Sequence, residues 1–264
     1  MPMIDVEDRV RLHVQDLGSG PAVVFISGFG LDHALWDRQV RVLTGAGYRT
    51  VCVTQRGHGH SDHPLDGYGI DRLRDDLVIV LETLGINAAT VVGHSFGGRV
   101  AFHTAATAPH LVAKLVLVGS NAVRATRSEE FPFGTPPEPT VARMVGDEET
   151  DRVAARCRLL QSSFAREQHP RVIDWLLQTW MQMPSWSAIA CYDTLLRTDL
   201  IDEIELVRQP VLQLNGKADP VHSAKGGYWL QSRLNDTRMV ELDCGHFPML
   251  EAPDEFDDAL RAFV

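Results

Sequence analysis

Short runs of apolar, mostly β-branched residues alternate with longer stretches of helical period through the first half of the chain. Residues 22–26, 49–53, 90–92 and 114–118 read as buried strands, and 71–84 and 96–106 as the helices between them. This alternation predicts a parallel sheet with helices on both faces. The opening stretch, 4–17, instead alternates polar and apolar positions, the pattern of an antiparallel hairpin with one solvated face. Strand-like runs return at 211–214 and 239–242, and a closing helix is expected over 253–263 with Pro253 in its first turn.

Between the two strand-rich parts the pattern changes. Residues 131–139, with four prolines and a glycine, fit neither a helix nor a central strand. From 140 to about 198 the period is helical, including 151–164 and 172–183, and no strand signal interrupts it. The expected organisation is one α/β core made of 1–120 and 199–264, with a helical lid inserted as 121–198. A chain of 264 residues accommodates that as a single domain. No internal repeat is present.

Composition narrows the partners. A formal net charge of −10 disfavours nucleic acid, whose binding draws its affinity from Lys and Arg on phosphates. Cys52, Cys157, Cys191 and Cys244 form no C-x-x-C pair, which removes support for a metal knuckle or redox motif and fits reduced thiols in a cytoplasm. The first residues carry neither a basic nor an apolar leader, and the longest apolar runs are of strand length. The expectation is a cytoplasmic protein with a small-molecule substrate and no membrane partner; composition does not specify an oligomeric state.

The chemistry concentrates at Gly93-His94-Ser95-Phe96-Gly97, directly after one expected strand and directly before a helix. So sharp a turn crowds the backbone around the serine, pushes its hydroxyl above the sheet, and aims free N–H groups of the helix start at a developing negative charge. A serine is a weak nucleophile without a base and an acid to orient that base. Asp219 and His246 follow in turns after the strands 211–214 and 239–242, so both fall at the strand ends where Ser95 lies. The glycine-bracketed loop 27–30 supplies a second candidate donor, which makes the backbone N–H groups of Phe29 and Phe96 the expected oxyanion hole.

These residues, together with 55–61 (QRGHGHS), make the chain resemble the α/β-hydrolase superfamily over nearly its whole length. The family often has His where Ser27 stands and Asp where Gln55 stands. The resemblance implies a mostly parallel eight-stranded sheet, no cofactor, and Ser95, His246 and Asp219 as nucleophile, base and orienting acid. Haloalkane dehalogenases and epoxide hydrolases carry aspartate at the elbow, and many C–C hydrolases have Asn before the nucleophile and Trp after the His. With His94 and Phe247 in those places, the chain looks more like the esterase, lactonase and cofactor-free haloperoxidase branch, of which 3-oxoadipate enol-lactonases are an example.

The implied reaction is hydrolysis of a carboxylic ester or lactone through an acyl-enzyme. The alternatives are C–C or thioester hydrolysis by the same three residues, or a small-molecule receptor on this fold. Gly28, His94, Trp180, Met183, Trp186 and Phe247 are the expected substrate contacts, since pockets of this kind are lined by apolar and aromatic groups. Arg166, Arg171 and Arg197 read as solvated lid residues, with carboxylate anchoring as their other use. His58, His60 and His63 match no recognised zinc-ligand spacing, and no metal is expected.

Overall fold

The computed structural model describes residues 2–264. The chain opens with β1 (Met3–Glu7) and β2 (Val10–Leu17), an antiparallel hairpin turning at Arg9 with φ +62°. It continues through β3 (Ala22–Ile26), α1 (Asp37–Gly45), β4 (Arg49–Val53), α2 (Ile70–Thr83), β5 (Ala89–His94), α3 (Phe96–Thr107) and β6 (Val112–Val118). Three helices follow: α4 (Pro137–Ser162), α5 (Pro170–Met181) and α6 (Ser185–Arg197). The chain then returns through β7 (Val211–Gly216), α7 (Ala224–Gln231), β8 (Thr237–Leu242), α8 (Pro248–Glu251) and α9 (Pro253–Arg261).

The eight strands form one sheet in the order β1-β2-β4-β3-β5-β6-β7-β8. β2 pairs antiparallel with β1 and β4, and every pair from β4 to β8 is parallel. All residues of β5 and β7 are buried, so these strands tolerate apolar side chains on both faces and lose the two-residue alternation that β1 keeps. Strand order reverses at β3, which lies between β4 and β5. The crevice beyond the carboxyl ends of β3 and β5 is therefore the switch point at which open α/β sheets place ligands.

One expectation needs correction. Residues 137–139 belong to the first turn of α4, although the prolines of 131–139 argue against any helix there. A first-turn N–H has no intrahelical partner, so proline costs nothing at that position. Inside α4, Asp151 leaves helical geometry (φ −156°, ψ 83°), and its Oδ1 accepts from the Ala154 N–H at 3.0 Å. The second segment is thus capped where the sequence pattern starts a helix. The helices α1 and α7, which the sequence pattern does not mark, bury one face each, with Val40 and Leu43 on α1 and Leu230 on α7.

Two buried arginines tie the helices α4, α5 and α6 to one another and to α3. Arg156 forms a two-pronged pair with Glu148 and donates through Nη1 to the carbonyls of Trp180 and Met183, at the end of α5. Arg99 on α3 donates to the carbonyls of Ala122 and Leu195, joining the core to the last turn of α6. Burial lowers the Arg99 guanidinium to about 10, still charged at neutral pH. Among the described residues no helix is long and apolar enough to cross a membrane, and the four cysteines are free.

Candidate active site

Ser95 follows β5 and begins the turn into α3 with φ +51° and ψ −115°, a left-handed conformation costly for any residue with a side chain. The surroundings enforce it. A β-carbon on Gly93 would lie 2.5 Å from the Gly97 carbonyl oxygen, and one on Gly97 would lie 2.5 Å from the Ile26 oxygen, so only glycine permits this approach. The Ser95 N–H donates to the Val118 carbonyl at 2.9 Å, and the Ser120 hydroxyl donates to the Ser95 carbonyl at 2.8 Å.

Asp219 and His246 meet beside it. Asp219 Oδ2 is 2.9 Å from His246 Nδ1, while Oδ1 accepts from the backbone N–H groups of Val221 at 2.7 Å and His222 at 2.9 Å. Burial raises the Asp219 carboxyl, but His246 and the His222 N–H outweigh it and hold the group below the usual carboxylate range. An ionised Asp219 only accepts, so the proton between the pair resides on His246 Nδ1, and Nε2 is the ring nitrogen that Asp219 leaves free.

Two further imidazoles flank His246. His94 Nε2 lies 3.0 Å from the His246 carbonyl and His222 packs against its ring at 5.6 Å. Burial first, and His246 second, push both down to about 3, so each stays neutral at working pH. His222 is absent from the residues expected from sequence; its only signal there is its place three residues after Asp219.

The loop after β3 is held by hydrogen bonds from side chains around Ser27. Ser27 Oγ donates to the Asp32 carbonyl at 2.6 Å and accepts from Trp36 Nε1 at 2.9 Å, and Gln55 Nε2 donates to the Ser27 carbonyl at 3.0 Å. Among the described residues, neither the Phe29 nor the Phe96 N–H donates to another backbone carbonyl.

A cavity of about 360 Å³ lies between the strand ends and the helices α4, α5 and α6. Phe29, His94, Ser95, Trp180, His246 and Phe247 line it. Asp219 stands behind His246, and Gly28 and Phe96 contribute backbone around Ser95 without forming the wall. Met183 and Trp186 lie outside it: Met183 is fully buried with its carbonyl taken by Arg156, and Trp186 is exposed on the outer side of α6. Residues without a sequence signal complete the wall, notably Arg143 and Met144 on α4 and Tyr192 on α6, which stacks on Phe29 at 4.5 Å.

Two of the histidines His58, His60 and His63 have partners outside that group. His58 Nδ1 engages the Arg56 carbonyl at 2.9 Å, and His60 packs beside His13 at 5.4 Å. Among the described residues no group of three or more His, Cys, Asp or Glu is arranged to hold a metal ion.

Comparison with known proteins agrees with this architecture. The chain is 30% identical to a pimeloyl-[acyl-carrier protein] methyl ester esterase from Nitrosomonas europaea, over 93% of this chain and 96% of the relative. It is 25% identical to 3-oxoadipate enol-lactonase 2 of Acinetobacter baylyi, over 100% and 98% of the two chains. The solved structure of an esterase from Exiguobacterium antarcticum superposes with a TM-score of 0.95 at 25% identity, covering 99% of this chain and 98% of the other. The model of the alpha/beta hydrolase fold family matches residues 21–253, and the chain belongs to that family.

Proposed function

We propose that the protein is a serine hydrolase that cleaves a carboxylic ester or lactone of a small molecule. The observation that carries this reading is the Asp219–His246 pair at 2.9 Å, behind an imidazole that shares one cavity with the strained Ser95. The relatives named as esterases and an enol-lactonase support the same class of bond.

In this reading His246 Nε2 takes the Ser95 proton as Oγ attacks the substrate carbonyl, and Asp219 holds the imidazole in the reactive tautomer and stabilises its protonated form. The carbonyl oxygen becomes an oxyanion received by the N–H groups of Phe29 and Phe96, each worth about 10² to 10³ in rate at comparable sites. The His246 proton passes to the leaving alkoxide, the C–O bond breaks, and an acyl-Ser95 ester remains. Water deprotonated by His246 then attacks that ester, releasing the acid and restoring Ser95. Trp180, Phe247 and Tyr192 form the apolar wall against the acyl group.

Hydrolysis of p-nitrophenyl esters from acetyl to dodecanoyl, by wild type and Ser95→Ala at equal purity, tests the proposal. The expected result is turnover by wild type and a loss on the order of 10⁶ in kcat for the variant, as in another serine triad. Equal rates from the two proteins would overturn it.

A further inference from the structure

The cavity wall carries a charge that ester hydrolysis itself does not use. Arg143 is the one lysine or arginine among the described residues that line it; the remaining wall is apolar, hydroxylic or imidazole, and it holds no carboxylate. Beyond Arg143 the cavity continues into an adjoining groove of about 300 Å³, which shares Met144, Leu159 and Tyr192 with it and adds Arg158 and Asp147.

Arg143 is also available. Its partner is Asp147, one turn along α4, at 3.5 Å with both side chains exposed, an arrangement that holds a guanidinium weakly. Three other arginines between β6 and β7 are placed differently. Arg197 is clamped by Glu138 and Asp193, Arg166 pairs with Asp243, Arg171 lies near Asp174, and none of the three lines the cavity.

We propose that the substrate bears a second, anionic group, a carboxylate remote from the scissile ester, and that Arg143 binds it at the mouth of the cavity. The inference rests on the ester-hydrolase reading of the same site and adds the substrate class: half esters of dicarboxylic acids. The apolar wall takes the methylene chain, and the guanidinium fork receives the distal carboxylate through charge-assisted hydrogen bonds. Arg158 lines the adjoining groove together with Arg143 and Asp147.

Binding without turnover isolates this inference. Calorimetric titration of the Ser95→Ala protein with monomethyl esters of diacids of roughly four to eight carbons, against methyl alkanoates of equal length, spans the reach of such a pocket. At least one half ester is expected to bind about tenfold tighter than its neutral counterpart, the affinity step of a single well-placed charge-assisted pair. Adding Arg143→Gln is expected to bring that ratio to about one, and Arg143→Lys to retain part of it. Arg143 is exposed, so the substitution removes no core packing. A ratio near one at every length in the Ser95→Ala protein, or an unchanged ratio after Arg143→Gln, overturns the carboxylate subsite. Wild-type turnover measured in parallel keeps the two readings apart. Hydrolysis of neutral esters with no half-ester preference sinks the subsite alone, and a half-ester preference in binding with no turnover sinks the hydrolase reading alone.

Discussion

The imidazole of His94, one residue before Ser95, donates through Nε2 to the main-chain carbonyl of His246 at 3.0 Å. A carbonyl only accepts, so this bond fixes the His94 tautomer and leaves Nδ1 as a buried, unpaired acceptor. The elbow and the base loop, 152 residues apart in the chain, are thereby locked to each other through a side chain that never needs to change charge.

His94→Ala is expected to destabilise the fold by about 1–3 kcal/mol, because the His246 carbonyl loses its donor in a buried setting. It is also expected to lower kcat by roughly tenfold to a hundredfold, since displacement of the base by about 1 Å has effects of that size. Urea unfolding and ester kinetics on the same preparation check both. Full kcat alongside reduced stability would confine His94 to a structural role.

Gln55 acts on the other side of the site. Its amide donates to the Ser27 carbonyl at 3.0 Å, in the loop that carries the Phe29 N–H. Gln55→Leu keeps the volume and removes the donor, so kcat is expected to fall by about tenfold, equivalent to about 1.4 kcal/mol of transition-state stabilisation, with little change in KM. A rise in KM at constant kcat would contradict this account of the loop.

The groups with local signatures are legible in the amino-acid sequence. Ser95, Asp219 and His246 each sit in a short glycine- or proline-bearing turn at a strand end, and both the turn chemistry and the strand pattern are written locally. The cavity wall is not. Trp180, Met183 and Trp186 look alike by composition, yet only Trp180 reaches the cavity, because helix phase and the Arg156 bridge send Met183 inward and leave Trp186 in solvent. Arg143 escapes sequence reasoning for a related reason: its meaning depends on the kink at Asp151, which lets the two segments of α4 place Arg143 and Leu159 along the same cavity.

The Arg156–Glu148 pair on α4 is buried, and Arg156 also takes the carbonyls at the end of α5, the helix that delivers Trp180. Arg156→Met strands a buried carboxylate and is expected to cost about 3–5 kcal/mol. Replacing both partners with apolar residues is expected to recover part of that loss. Thermal unfolding of the two variants decides it, and a single variant as stable as wild type would contradict the bridge.

Acid should weaken the fold through its buried imidazoles. His58 is held down to about 4, and His94 and His222 to about 3, by burial above all. An unfolded imidazole protonates near about 6.5. Below that pH the unfolded chain takes up protons that the folded chain refuses, so stability falls from about pH 6.5 toward 4, by up to about 1.4 kcal/mol per unit for each such histidine. His103 does not reverse this slope. Burial lowers its pKa, but Glu203 at 2.8 Å and Asp71 at 3.0 Å outweigh burial and raise it overall, so its charge is already in place over this range. Urea unfolding at pH 6.5, 5.75 and 5 is expected to show a steady decline; a flat profile would contradict it.

The most direct measurement of the central claim is covalent capture of the nucleophile. Intact-mass and peptide analysis after exposure to a fluorophosphonate should show one phosphonyl group on the peptide containing Ser95, no adduct on Ser95→Ala, and labelling slowed by orders of magnitude on His246→Ala. An unlabelled wild type, an adduct on another residue, or labelling indifferent to His246 would contradict the assignment of Ser95 as a base-activated nucleophile.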